Sequence, residues 1–223
     1  MSSTDAPSLF VEPTLVAFST TRLSELVSAL DALDRHTVMS PLETPEQVLL
    51  TPDGRTQQGN FRYGGTAFRQ LCRLVCPGLS NVVSDVGGLR RRQAEADRAR
   101  FSVPDAIAIL NTVVRRRFST NLEGQQVVRD TRTGTIDGIV GRAYKRLSNL
   151  ELYQRIDEIL KTYQRPVEFF EASLYGRYMV LHYRERDPLF TVTVPRHGDD
   201  SYRGGFYYSN SETGDGSLRA TTS

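Results

Sequence analysis

The chain has 223 residues, of which 39% are hydrophobic and 24% charged, and a net charge of +2. That composition is ordinary for a water-soluble protein and long enough for one large domain or two small ones. No apolar run approaches the ~18 residues of a membrane span, and MSSTDAPSLF has neither the basic nor the apolar region of a secretion signal, so no membrane partner and a cytoplasmic location are expected. The charge is uneven: residues 85–155 carry fourteen basic and eight acidic groups, while 1–84 carry six and eight and 156–223 eight and ten. The middle third is therefore a basic belt, nearly all arginine, since Lys145 and Lys161 are the only lysines.

Residues 1–18, interrupted by Pro7 and Pro13, read as a loose arm. Leu23, Leu26, Val27, Leu30 and Leu33 recur at helical spacing and predict a helix over 21–34, capped by Thr20 or Thr21. Val48-Leu49-Leu50 and the following Thr-Pro-Asp-Gly suggest a strand and a turn at Gly54. A second helix starts near Thr66 with Phe68, Leu71, Cys72 and Val75 on its apolar face, and Pro77-Gly78 stops it. Cys72 and Cys76 sit one turn apart, in poor geometry for a disulfide, and read as small buried apolar residues. Residues 79–92 suggest a short helix broken at Gly87-Gly88. A third helix runs from Ser102 to about Phe118, with Ser102 and Asp105 as a capping box and Ile107, Leu110, Val114 and Phe118 buried.

The second half changes character. Gln126–Thr131 and Thr135–Gly141 are β-rich and joined by a turn at Arg132, Thr133 and Gly134. Ser148 with Glu151 forms a capping box that opens a helix with the face Leu152, Ile156, Ile159, Leu160 and Tyr163. Val167–Leu174, Tyr178–Arg184, Phe190–Val194 and Gly205–Asn210 are short runs rich in Val, Phe, Tyr and Thr, joined by turns and a Gly198–Gly204 loop. The expected fold is α+β, a helical N-terminal half followed by an antiparallel sheet packed on a helix in the order β-β-α-β-β-β. The regions are 1–18 as arm, 19–122 as mainly helical, and 123–223 as sheet plus helix, the last two forming one integrated domain.

The run Gly138-Ile-Val-Gly-Arg-Ala-Tyr144-Lys-Arg-Leu-Ser-Asn149 before a helix resembles a motif of the phage/plasmid-like protein family, a domain-of-unknown-function family. Tyr144, Lys145, Leu147 and Asn149 fit its strand-turn-helix pattern. The strand pair 167–174 and 178–184, the turn Asn210-Ser211-Glu-Thr-Gly214 and the Tyr63–Val75 helix follow in the family's order. The resemblance covers roughly residues 60 to 223. It implies the biology of mobile elements and no settled activity. The segments that usually follow the second motif are missing, and Ser217–Ser223 looks like the opening of another strand, so the natural chain is expected to continue.

Candidate chemistry starts with the belt. Arginine presents a planar fork of donors suited to phosphate. Arg90, Arg91, Arg92, Arg115, Arg116, Arg117, Arg132, Arg142, Lys145 and Arg146 are the expected contacts to a nucleic-acid backbone, with Tyr144 among them to stack on unpaired bases. Tyr207-Tyr208 beside Arg203 is a further stacking candidate. The bland alternative is a solvated charged surface. Gly138-Ile-Val-Gly141 reads as strand or bulge positions rather than a backbone clamp. His182 reads as a structural strand residue. His197, Asp199 and Asp200 on one loop are carboxylate and imidazole ligands for a metal-dependent enzyme. No phosphate loop or nucleophile elbow is present, and no cofactor is implied.

The leading expectation is a non-enzymatic accessory protein that binds single-stranded DNA, by fold-level analogy with recombination annealing proteins, which implies a homo-oligomer. The alternatives are a protein-interaction module without nucleic-acid binding and the metal-dependent enzyme.

Overall fold

The computed structural model describes residues 18–77, 79, 103–194, 198–214 and 218–222, and they divide into two compact units. Among the described residues, no helix is long and apolar enough to cross a membrane.

The first unit spans 36–144. Its four-stranded sheet has the order β2 (Thr37–Pro41), β4 (Gln126–Asp130), β5 (Thr135–Val140), β3 (Arg62–Tyr63), antiparallel except for the β3–β5 pair. Two helices belong to it, α2 (Gly65–Val75) and α3 (Val103–Arg117). The predicted apolar faces of α2 and α3 are the core: Phe68, Leu71, Cys72, Val75, Ile107, Leu110, Val114 and Phe118 are buried with Val127, Ile136 and Ile139. Cys72 and Cys76 are free thiols; Cys72 is buried as expected, but Cys76, past the end of α2, is exposed, and burial, then the Cys76 sulfur, pushes the Cys72 thiol up to about 12. Gly138 faces Val128 where the register shifts, so it sits beside a bulge in β5.

The second unit holds 15–35 and 145–223. Its five-stranded antiparallel sheet runs β1 (Phe18–Thr20), β6 (Val167–Tyr175), β7 (Tyr178–Glu185), β10 (Gly205–Ser211), β11 (Arg219–Thr222). One face is covered by α1 (Leu23–Arg35) and α4 (Asn149–Lys161): Leu26, Leu30, Leu152, Tyr153 and Ile156 pack on Ala172, Leu174, Met179, Leu181 and Tyr183. The Ser148 hydroxyl caps α4 by accepting from Glu151 N at 3.0 Å. A separate hairpin pairs β8 (Phe190–Val194) with β9 (Gly198–Tyr202).

The α+β class is what the sequence predicts, but the arrangement differs in four ways. The N-terminal half is not mainly helical, because it also holds β1, β2 and β3. The β-β-α-β-β-β order does not describe one sheet: the β4–β5 hairpin pairs with β2 and β3, while α4 covers the other sheet. Val48-Leu49-Leu50 is a buried loop, not a strand. The Asn111 side chain accepts from Leu50 N at 2.8 Å and donates to Leu50 O at 2.7 Å, standing in for a neighbouring strand. Ile159, expected on the buried face of α4, is 63% exposed, and Tyr153 is buried instead. The arm's first seventeen residues, the 79–92 helix beyond Leu79 and the Ser102 cap lie outside the described residues.

Candidate nucleic-acid interface

The belt is not one feature. Arg90, Arg91 and Arg92 lie outside the described residues. Arg115, Arg116 and Arg117 are exposed in the last turn of α3, where positive charge suits the carbonyl end of the helix. Arg142 is exposed just past β5, and its side chain lies against Gly124. Arg132 is in the turn at the far end of the β4–β5 hairpin, about 20 Å away for six strand residues. Its guanidinium lies 3.9 Å from Asp130. Tyr144 is half-buried and its N–H donates to Gly141 O at 2.9 Å. Lys145 is exposed in the second unit.

Arg146 is a correction. Its side chain is only 16% exposed and sits 2.6 Å from Asp34 and 3.2 Å from Glu212, so it is an ion-pair partner rather than a phosphate contact. It belongs to a buried polar cluster. Glu212 also accepts from Asn149 N at 2.6 Å and lies 3.5 Å from Arg177. Asn210 donates to Asn149 Oδ1 at 2.9 Å and to Leu147 O at 3.1 Å. The turn motif at Asn149 and the one at Asn210 therefore close on each other, although 60 residues of sequence lie between them (about 200 Å of fully extended chain).

A different surface stands out on the five-stranded sheet. Side chains alternate along a strand, so the residues between the helix-facing ones form the other face. A bulge at Phe169–Glu171 puts both Phe170 and Glu171 there. His182 stacks flat on Tyr207, centroids 4.0 Å apart at 15°, and meets the edge of Phe170 at 4.9 Å. The Arg184 guanidinium lies 4.6 Å over the Phe170 ring and pairs with Glu168 at 2.6 Å. The Arg184 hydrogen bond holds the Glu168 carboxyl below its ordinary range. Burial lowers the His182 pKa, against the opposing pull of Glu171 at 3.8 Å. Tyr175 and Tyr178, directly opposite each other in register, are exposed at the hairpin end of the same face. Of the late tyrosine pair, Tyr207 is on this face, whereas Tyr208 lies against the helix-covered core.

This arrangement sets flat rings next to one guanidinium, that of Arg184, which is shared with Glu168; rings of this kind are what unpaired bases stack on. Sequence reasoning missed Phe170 and His182 as ring partners. The bulge that puts Glu171 on the same face as Phe170 has no mark in the sequence, and alternation sets Phe170 opposite to Phe169 without saying which of them is covered.

The His197–Asp200 segment is not simply a loop. His197 is outside the described residues, and Asp199 and Asp200 are consecutive residues of β9, so their carboxylates point to opposite faces of the strand and do not share a site. Thr193 donates to Asp199 at 2.7 Å. Among the described residues no three His, Cys, Asp or Glu side chains gather as metal ligands.

Comparison with protein-family models, with curated proteins and with solved structures finds no match to this chain.

Proposed function

We propose that this chain is a non-enzymatic accessory protein of a phage or plasmid, of the phage/plasmid-like type, that binds single-stranded DNA. The observation that carries the reading is the ring row Phe170, His182 and Tyr207, flanked by Arg184, on the face of the five-stranded sheet opposite α1 and α4. Stacking on such rings is worth roughly 1–3 kcal/mol per base and is tolerant of sequence. The closure of the two motif segments through Asn149 and Asn210 supports the family reading, because each quoted piece has a partner in the other. Arg115–Arg117 remain backbone contacts in this reading, since all three are exposed.

The test is binding of a fluorescent single-stranded oligonucleotide across a salt series. Affinity falls steeply with salt, and Tyr207→Ala weakens binding by about tenfold with the fold retained. Replacing Arg115, Arg116 and Arg117 by alanine makes the salt dependence shallower. Absence of binding at low salt by the folded chain sinks the proposal.

A second reading, a protein-interaction module, is favoured by the β8–β9 hairpin. Phe190 and Tyr202 stack at 4.9 Å and remain 56% and 50% exposed, beside Val192 at 43%. That reading predicts self-association reduced by Phe190→Ser and no oligonucleotide binding.

A further inference from the structure

A half-buried arginine normally has a carboxylate beside it, because an uncompensated charge is costly away from water. Among the described residues, the arginines that are not exposed follow this: Arg55 has Asp53, Arg146 has Asp34 and Glu212, Arg177 has Glu212, and Arg184 has Glu168. Arg129, in β4 of the first unit, has none within ion-pair distance among the described residues. Its guanidinium lies 5.6 Å over the Phe61 ring and donates to the Ser40 hydroxyl. Burial lowers its pKa, yet an arginine stays charged in a protein.

Arg129 lines a groove of about 290 Å³ with Val38, Gln47, Gln58, Phe61 and Thr131. The Arg129 guanidinium and the two glutamine amides offer donors there, while the Thr131 hydroxyl, its proton given to His36 O, offers an acceptor. Gln47 Oε1 already accepts from Glu43 N at 2.7 Å and Thr44 N at 3.1 Å, and Gln58 Oε1 accepts from the Thr44 hydroxyl at 3.0 Å. Each amide therefore has its NH2 group left to offer. The Thr131 hydroxyl donates to His36 O at 3.1 Å. The groove is held in shape by its own loop: Thr56 Oγ1 accepts from Phe61 N at 3.0 Å and donates to Gln58 O at 2.8 Å. At Gly59, φ is +85° and an added Cβ would lie 2.7 Å from the Phe61 ring, so only glycine leaves the ring in place under Arg129.

We propose that this groove binds a small oxyanion, a carboxylate or a phosphate monoester carried on a flat apolar group. One guanidinium supplies a countercharge and a two-pronged contact, the two amides add donors, and Phe61 with Val38 forms the apolar wall. The volume is at the lower end of small-ligand pockets, which limits the ligand to about the size of a substituted ring.

The experiment is isothermal titration of the full chain with phenyl phosphate, benzoate and neutral benzamide. At least one of the two anions binds saturably at millimolar concentration or better, and benzamide does not. Gln58→Glu weakens binding by at least about tenfold, because it keeps the acceptor for Thr44 and sets a carboxylate in the groove. Gln58 is exposed, so this variant folds even where Arg129→Gln does not. Binding of phenyl phosphate alone assigns the phosphate class, and benzoate alone the carboxylate class. Saturation by neither anion, equal binding of benzamide, or unchanged affinity in Gln58→Glu overturns the proposal.

Discussion

His182 shows how one residue ties the chemistry of a surface to its stability. Its ring is packed between Tyr207 and Phe170, its Nδ1 is buried without a hydrogen-bond partner, and burial lowers its pKa. The folded state therefore holds the ring neutral at a pH where the unfolded chain has begun to protonate it. Because the unfolded state binds more protons in that window, stability falls as pH drops from the ordinary histidine value near 6.5 toward the lower folded value. The groups that face the ring are Glu171, which opposes the effect, and Arg184, which adds to it. The Tm of the wild type is expected to drop between pH 7.5 and 5.5, and His182→Phe, which can keep the stack, is expected to lose part of that drop. Thermal melts at the two pH values decide it, and an equal drop in both proteins removes His182 as the cause.

Between elements, the closest coupling is the carboxylate of Glu212, in the turn after β10, at the start of α4. It meets the first backbone N–H of the helix and two guanidinium groups while 1% exposed. Glu212→Ala leaves those arginines without their shared anion and is expected to cost about 3–5 kcal/mol, read from urea unfolding, whereas Glu212→Gln costs less because it keeps an acceptor for Asn149 N. The sequence marks the turn and the helix start separately, but their partnership is a long-range property that neither segment shows by itself. What was legible were elements whose signal is local. The spacing of Phe68, Leu71, Cys72 and Val75 marked α2, Ser148 marked the start of α4, and the Thr-Gly pair after Arg132 marked the β4–β5 hairpin. Thr37–Pro41 escaped because its strand character comes from docking on Val127 and Val128, and its sequence has no clean alternation. The sheet to which β4 and β5 belong escaped for the same reason, as strand partners are a long-range property. In the candidate interface, arginine-rich composition pointed to charge but could not separate exposed Arg115–Arg117 from buried Arg146, which only its distant carboxylates define.

On the scale of the whole chain, the second unit is interrupted: residues 36–144 leave after α1 and return just before α4. Asp34 and Arg146, one residue from each side of the interruption, are 2.6 Å apart. The two points where the chain exits and re-enters are therefore neighbours within that unit. A chain in which a short Gly-Ser linker joins Arg35 to Lys145 should keep both the five-stranded sheet and its two helices. It is expected to melt cooperatively by circular dichroism with a dispersed amide spectrum. A non-cooperative melt would show that the sheet needs the inserted residues to fold. The same adjacency governs how the molecule carries tension. Handles placed at Phe18 and Thr222 would pull on β1 and β11, the two outer edges of one sheet. The load passes through the strand hydrogen bonds, the packing of α1 on α4 and the Asp34–Arg146 clasp. The inserted residues, a unit with its own sheet and core, lie off that path and come under load only once the clasp has parted.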